Sequence, residues 1–134
     1  MLLSKGATVA VADGEKFNLF RNTGDEAGLQ LAPIAHDPVD AHHEGSTPGR
    51  HGSSANPDGG QDAEDGFSAG VIDLLNKWVL AGQVSSLLII AAPRTLGAIR
   101  PKYHAKLTDI LAGEIAKDLT GHSMRDVEKA IAAA

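Results

Sequence analysis

Arg94, Thr95, Arg100, Lys102 and His104 crowd into one short stretch, together with Gly97, and Lys117-Asp118 follows further on. Guanidinium forks, hydroxyls and ammonium groups are the donors that hold phosphate or carboxylate. The stretch comes directly after Leu87 to Ala92, an apolar run without polar alternation, and Pro93 ends that run. Such a run suits a strand covered on both faces at the centre of an α/β sheet. In open sheets, ligands sit at the carboxyl end of a central strand, before the next helix. The expected anion site is therefore Arg94, Thr95, Gly97, Arg100 and Lys102, joined by Lys117. Gly97 would permit close backbone approach, and free N–H groups at the following helix start would add donors. Surface solvation and structural ion pairs are the competing explanation for such a set.

Two other groups of residues have chemical potential. His36, Asp37, Asp40, His42, His43, Glu44 and His51 offer imidazoles and carboxylates. They sit in a stretch without a rigid frame, and an ion would have to order all of it, so no metal and no cofactor are expected. Gly59-Gly60-Gln61 combines a permissive backbone with an amide, and Asp58, Asp62, Glu64 and Asp65 flank it. In a Gly-rich loop such a triplet arises readily by chance, and its acidic flanks would repel RNA phosphate, so Gln61→Ala is expected to leave any activity unchanged. There is no Gly-x-Ser-x-Gly elbow, no phosphate-cradling glycine loop and no cysteine. No catalytic residues are assigned, and a non-enzyme is the expectation.

The elements that must position these residues follow from periodicity. Ala7 to Ala12 reads as a strand, and Asp13-Gly14 suits the positive φ angles of a tight hairpin. Lys16 to Arg21 puts Phe17 and Leu19 on one face, with Phe20 on the other; a turn at Asn22 to Asp25 then leads to a third strand, Leu29 to Ile34. Asp37 to Glu64 is rich in Gly, Pro, Ser, Asp and His and has no period, which predicts a long flexible loop. Phe67, Val71, Leu74, Leu75 and Trp78 recur at helical spacing, with Gly82 to close the helix. Pro101 is expected to open a second long helix carrying Tyr103, Leu107, Ile110 and Leu111 and ending at Gly113. Glu114 to Leu119 would be a short strand, and Ser123 with Asp126 makes a capping box for a last helix with Met124, Val127 and Ile131. The order βββ-α-β-α-β-α, with right-handed crossovers, gives one mixed five-stranded sheet: an antiparallel meander plus two crossover strands, with about three helices.

A chain of 134 residues with 43% hydrophobic and 22% charged residues suits one α/β domain over residues 1–134. No apolar run is long enough for a bilayer, and Met1 to Lys5 lacks the pattern of a secretory signal, so a cytoplasmic protein without membrane insertion is expected. A net charge of -5 argues against a general electrostatic grip on nucleic acid, while leaving room for a local basic patch.

VAVADGEKFNLFRNTGD (Val9 to Asp25), IIAAPRTLGAIRPKYH (Ile89 to His104) and GEIAKDLTGH (Gly113 to His122) resemble the blocks of the bacterial host attachment proteins, described as proteins required for attachment to host cells. Pro48-Gly49-Arg50 and Phe67 stand where that family carries the same residues. The family is in turn similar in fold to the middle domain of archaeal and eukaryotic translation release factors, a mixed-sheet α/β domain. That resemblance implies a cytoplasmic, non-enzymatic binding or adaptor protein supporting attachment, with an unknown protein or an anionic ligand as partner. The more distant relation implies an alternative. Release factors carry Gly-Gly-Gln just before this helix, so Gly59, Gly60 and Gln61 would serve a translation-associated factor or peptidyl-tRNA hydrolase working with the ribosome or RNA. There the glycines let the backbone approach the reacting ester, and the Gln N–H stabilises the oxyanion and orients water.

Overall fold

The computed structural model describes residues 2–39 and 59–134; for residues 59–64 it describes the backbone. Five strands form one mixed sheet: β1 (Thr8–Ala12), β2 (Phe17–Asn22), β3 (Leu31–Ile34), β4 (Leu87–Ala91) and β5 (Leu111–Ala116), in the spatial order β3-β2-β1-β4-β5. β1, β2 and β3 are antiparallel neighbours, whereas β4 runs parallel to β1 and β5 parallel to β4. The meander with two added parallel strands is the sheet expected from the sequence. Among the described residues four α-helices complete it: α1 (Gly59–Leu80), α2 (Pro93–Ile99), α3 (Ala105–Ile110) and α4 (Met124–Ala133).

β4 holds the two layers together. Leu87, Ile89 and Ala91 pack with Val71, Ile72, Leu75, Leu96, Ile99 and Leu107, so α1, α2 and α3 cover one face. Leu88 and Ile90 pack on the other face with Val9, Val11, Ile115, Val127 and Ile131, under α4. All five residues of β4 are buried, as an apolar run without alternation requires. Phe20 packs on the α4 face, opposite Phe17 and Leu19. Ser123 caps α4 by accepting the Asp126 N–H at 3.2 Å.

Several local expectations are corrected. Asp13-Gly14 has no positive φ; among the described residues only Gly6 (φ 88°) and Gly82 (φ 76°) do. Instead the Asp13 carboxylate accepts the N–H groups of Glu15 and Lys16, both at 2.6 Å, and supports a wider turn between Ala12 and Phe17. Gly82 does close α1: its left-handed conformation lets its N–H reach the Val79 carbonyl at 3.0 Å and that of Gln83 reach Trp78 at 3.1 Å. α1 begins at Gly59, so residues 59–64 are helical rather than the end of a loop; residues 37–39 have no regular structure, and 40–58 lie outside the described residues.

The single helix expected from Pro101 to Gly113 is broken. α2 starts at once on Pro93, a 3₁₀ turn spans Arg100–Lys102, and the chain becomes extended at Tyr103 (φ -61°, ψ 127°) before α3. His104 caps α3, its Nδ1 accepting the Lys106 N–H at 3.0 Å. β5 begins at Leu111, not Glu114, and its register slips between Leu87 and Leu88. Leu111 and Ile115 are four residues apart and would share a face in a regular strand. They pack on opposite faces because the bulge inserts one residue.

Asn22 fixes the meander's end. Its side chain is fully buried, its Nδ2 donates to the carbonyls of Leu3 (3.0 Å) and Ser4 (3.2 Å), and its Oδ1 accepts the N–H groups of Gly24 (3.0 Å) and Gln30 (3.1 Å).

Candidate functional site

The expected anion set divides between two places. Arg94 is exposed in the first turn of α2, at the carboxyl end of β4, and Lys117 is exposed just past β5, the neighbouring parallel strand. These two stand at the sheet edge where the site was expected. Thr95 is buried, with 4% of its surface exposed. Gly97 lies on α2 with open space where a Cβ would be, so nothing in the fold itself demands glycine there. α2 then carries the chain away from that edge by about 10 Å, and Arg100 and Lys102 follow at its far end.

Arg100 is engaged by β5. Its Nη2 and Nε approach Glu114 Oε1 at 2.8 and 3.0 Å, and the Tyr103 hydroxyl donates to Glu114 Oε2 at 2.6 Å. Partial burial opposes ionisation of Glu114, but the donors from Arg100 and Tyr103 prevail and hold it below the ordinary carboxylate value. Burial, and then the bond to Glu114, push the Tyr103 hydroxyl well above its ordinary value, so it remains a donor. This triad fastens the segment after α2 to the sheet; it is structural anchoring, with Arg100 already occupied.

At the carboxyl edge itself, Thr120 donates to Asp13 Oδ2 at 2.5 Å and lies 3.1 Å from Asp118 Oδ1. Burial would raise the Asp13 pKa, but Thr120 and the two backbone N–H groups outweigh it and lower it. Asp13 therefore ties the β1–β2 turn to the segment after β5. Sequence reasoning missed this link, since its partners are distant in the chain.

The triplet occupies the first turn of α1. The first four N–H groups of a helix, that of Gln61 among them, have no acceptor within it. Asp62, Glu64 and Asp65 follow in the first two turns, where the helix dipole favours negative charge. An open groove of about 450 Å³ lies at the opposite end of α1, lined by His36, Asp37, Lys77, Trp78 and Gln83 among others. The ring nitrogens of His36 lie against carbonyl oxygens, Nδ1 2.7 Å from that of Asp37 and Nε2 3.3 Å from that of Phe17. Among the described residues no group of three or more His, Asp or Glu side chains could hold a metal; Asp40, His42, His43, Glu44 and His51 lie outside them.

With a mixed sheet, a long helix opening on Gly-Gly-Gln and β4 at the centre in place, comparison with known families becomes decisive: the model of the bacterial archaeo-eukaryotic release factor family 12 matches residues 6–131. The chain belongs to that family. The match takes in the whole sheet and all of α1, so the release-factor relation inferred at a distance from the sequence is the family relation itself. Uncharacterized protein RP470 of Rickettsia prowazekii (strain Madrid E) is 42% identical over 63 residues, covering 46% of this chain and 42% of that protein. The chain thus matches less than half the length of this relative. Among the described residues no helix is long and apolar enough to cross a membrane.

Proposed function

We propose that this release-factor-family domain acts on peptidyl-tRNA at the ribosome, with Gly59-Gly60-Gln61 at the reacting ester. The observation that carries the reading is the position of the triplet in the opening turn of the longest helix of a domain of this family. Water adds to the ester carbonyl, the bond to the ribose oxygen breaks, and that oxygen takes the proton. The Gln61 N–H, unpaired within the helix, stabilises the oxyanion, and Gly59 and Gly60 leave room for the backbone to approach. Family membership gives the triplet weight that the sequence alone did not. The acidic residues after it have a second reason to be there, because they favour the helix start.

The test is peptide release from stalled ribosome complexes. Gln61→Pro removes the N–H while fitting a first helical turn, and it should slow release about 100-fold or more, the usual loss for one oxyanion donor. Wild-type protein that neither co-sediments with ribosomes nor releases peptide would end this reading. A second reading is favoured by the net charge of -5 and the carboxylates beside the triplet. In it the chain is a non-enzymatic, cytoplasmic binding or adaptor protein supporting attachment to host cells, with Arg94 and Lys117 contacting an anionic partner. Ribosome co-sedimentation separates the two.

A further inference from the structure

Arg100-Pro101-Lys102-Tyr103-His104-Ala105-Lys106 is a basic stretch in an acidic chain and contains no carboxylate. Glu114 neutralises Arg100. Lys102, His104 and Lys106 are exposed, and neither lysine is in an ion pair among the described residues.

The backbone that carries these side chains is fixed at each step. Asn76 of α1 donates through Nδ2 to the Lys102 carbonyl and accepts the His104 N–H on Oδ1, both at 3.0 Å. His104 Nδ1 accepts the Lys106 N–H, and the Thr108 hydroxyl donates to the His104 carbonyl at 3.4 Å. Tyr103, between them, points the other way to Glu114. The chain is extended only at Tyr103 and His104, between the 3₁₀ turn that ends at Lys102 and the first turn of α3 that carries Lys106, so the three exposed side chains stand on a pre-ordered backbone, which limits the ordering cost of binding. Compact ammonium groups on flexible stems suit phosphate contacts that position a partner without reading its bases.

We propose that Lys102, His104 and Lys106 form a contact surface for the phosphate backbone of RNA. The surface lies along α1 from the triplet, because Asn76 is about 22 Å of helix beyond Gln61. The proposal deepens the peptidyl-tRNA reading and rests on it. It supplies a local positive field on a chain whose overall charge repels nucleic acid. Asp109, one turn beyond Lys106, is the nearest carboxylate in sequence and weakens that field.

The experiment measures fluorescence anisotropy of the full chain with a labelled RNA hairpin bearing a single-stranded 3′ end, across a salt series. Lys102→Glu with Lys106→Glu should weaken binding about tenfold or more and reduce the slope of log affinity against log salt by about 2. Asp109→Asn should tighten it. Arg125→Glu with Lys129→Glu, the same charge change on α4 across the sheet, should leave both readouts unchanged. Equal losses from the two double variants, no loss from the first, or preference for an acidic polypeptide over the RNA would each overturn the proposal. If the lysines bind RNA and the wild type releases no peptide, the enzymatic reading falls alone; if peptide is released and the lysine variants bind unchanged, this surface falls alone.

Discussion

Thr8 opens β1 with 0% of its surface exposed, and its hydroxyl has no hydrogen-bond partner among the described residues. A buried hydroxyl without a partner costs about 1–3 kcal/mol by mutational measures. Valine keeps the β-branched shape that suits a strand and replaces that hydroxyl with a methyl group, whose burial is worth about 0.8 kcal/mol. The methyl is the larger group, and some of the gain is lost to tighter packing. Thr8→Val should therefore stabilise the domain by about 1–2 kcal/mol. At about 2.1 cal/mol/K of unfolding entropy per residue, this chain length converts the gain to a rise in Tm of about 4–7 °C. Calorimetry of the wild type, Thr8→Val, Thr8→Ala and Thr8→Ser gives the test. The reasoning also requires Thr8→Ala to be at least as stable as Thr8→Ser, since both lose the methyl and serine keeps the unpaired hydroxyl. A Tm lowered by Thr8→Val, with serine above alanine, would mean that the hydroxyl is bonded and would refute it.

Asn22→Ala strips partners from two carbonyls and two N–H groups at a buried position, and should cost about 2–4 kcal/mol in urea unfolding with an unchanged m value. Asp13 and Glu114 both have lowered pKa values in the fold, so their contribution is present above their ordinary values of 3.8 and 4.5 and is lost as pH falls below them. Urea midpoints should decline from about pH 4.5 downward, and Asp13→Asn with Glu114→Gln should flatten that decline. Arg94→Ala should leave Tm nearly unchanged, because the side chain is exposed and in no ion pair among the described residues. If Arg94 holds an anion, the same substitution should weaken inorganic phosphate binding by about 1–3 kcal/mol in calorimetric titration.

The parts of the fold that were legible in the sequence depend on short-range signals. β4 is an unbroken apolar run, α4 has its Ser123 cap, and α1 shows its helical period from Phe67, so each could be read from neighbours in the chain. β5 was misplaced because the bulge breaks the two-residue period between Leu111 and Ile115. The break between α2 and α3 was missed because its stop is a tertiary one: Asn76, Glu114 and the His104 cap hold Tyr103 extended. Histidine is not among the usual capping residues, so that start carried no signal. The opening of α1 was read as loop because its glycines lower helix propensity. Among the candidate anion-binding residues, Arg94 and Lys117 stand where strand order put them, whereas Arg100 is paired with Glu114, fourteen residues on.

The pairing of β4 with β1 has a kinetic consequence. Thr8 meets Leu87 across about 80 residues of chain, so the central ladder of the sheet closes one of the longest loops in the domain, and such contacts form slowly. The hairpin of β1 and β2 forms locally on a much shorter timescale. Until β4 docks, Leu87 to Ala91 is an apolar, uncharged, β-prone segment in a partly folded chain, the kind of segment that drives self-association. Pro93 and Arg94 stand immediately beyond it, a residue that cannot extend a ladder and a charge that resists stacking. Arg94 is thereby placed to act as a gatekeeper during folding. Arg94→Ala would show that role as lower refolding yield at high protein concentration, with the stability of the folded protein intact.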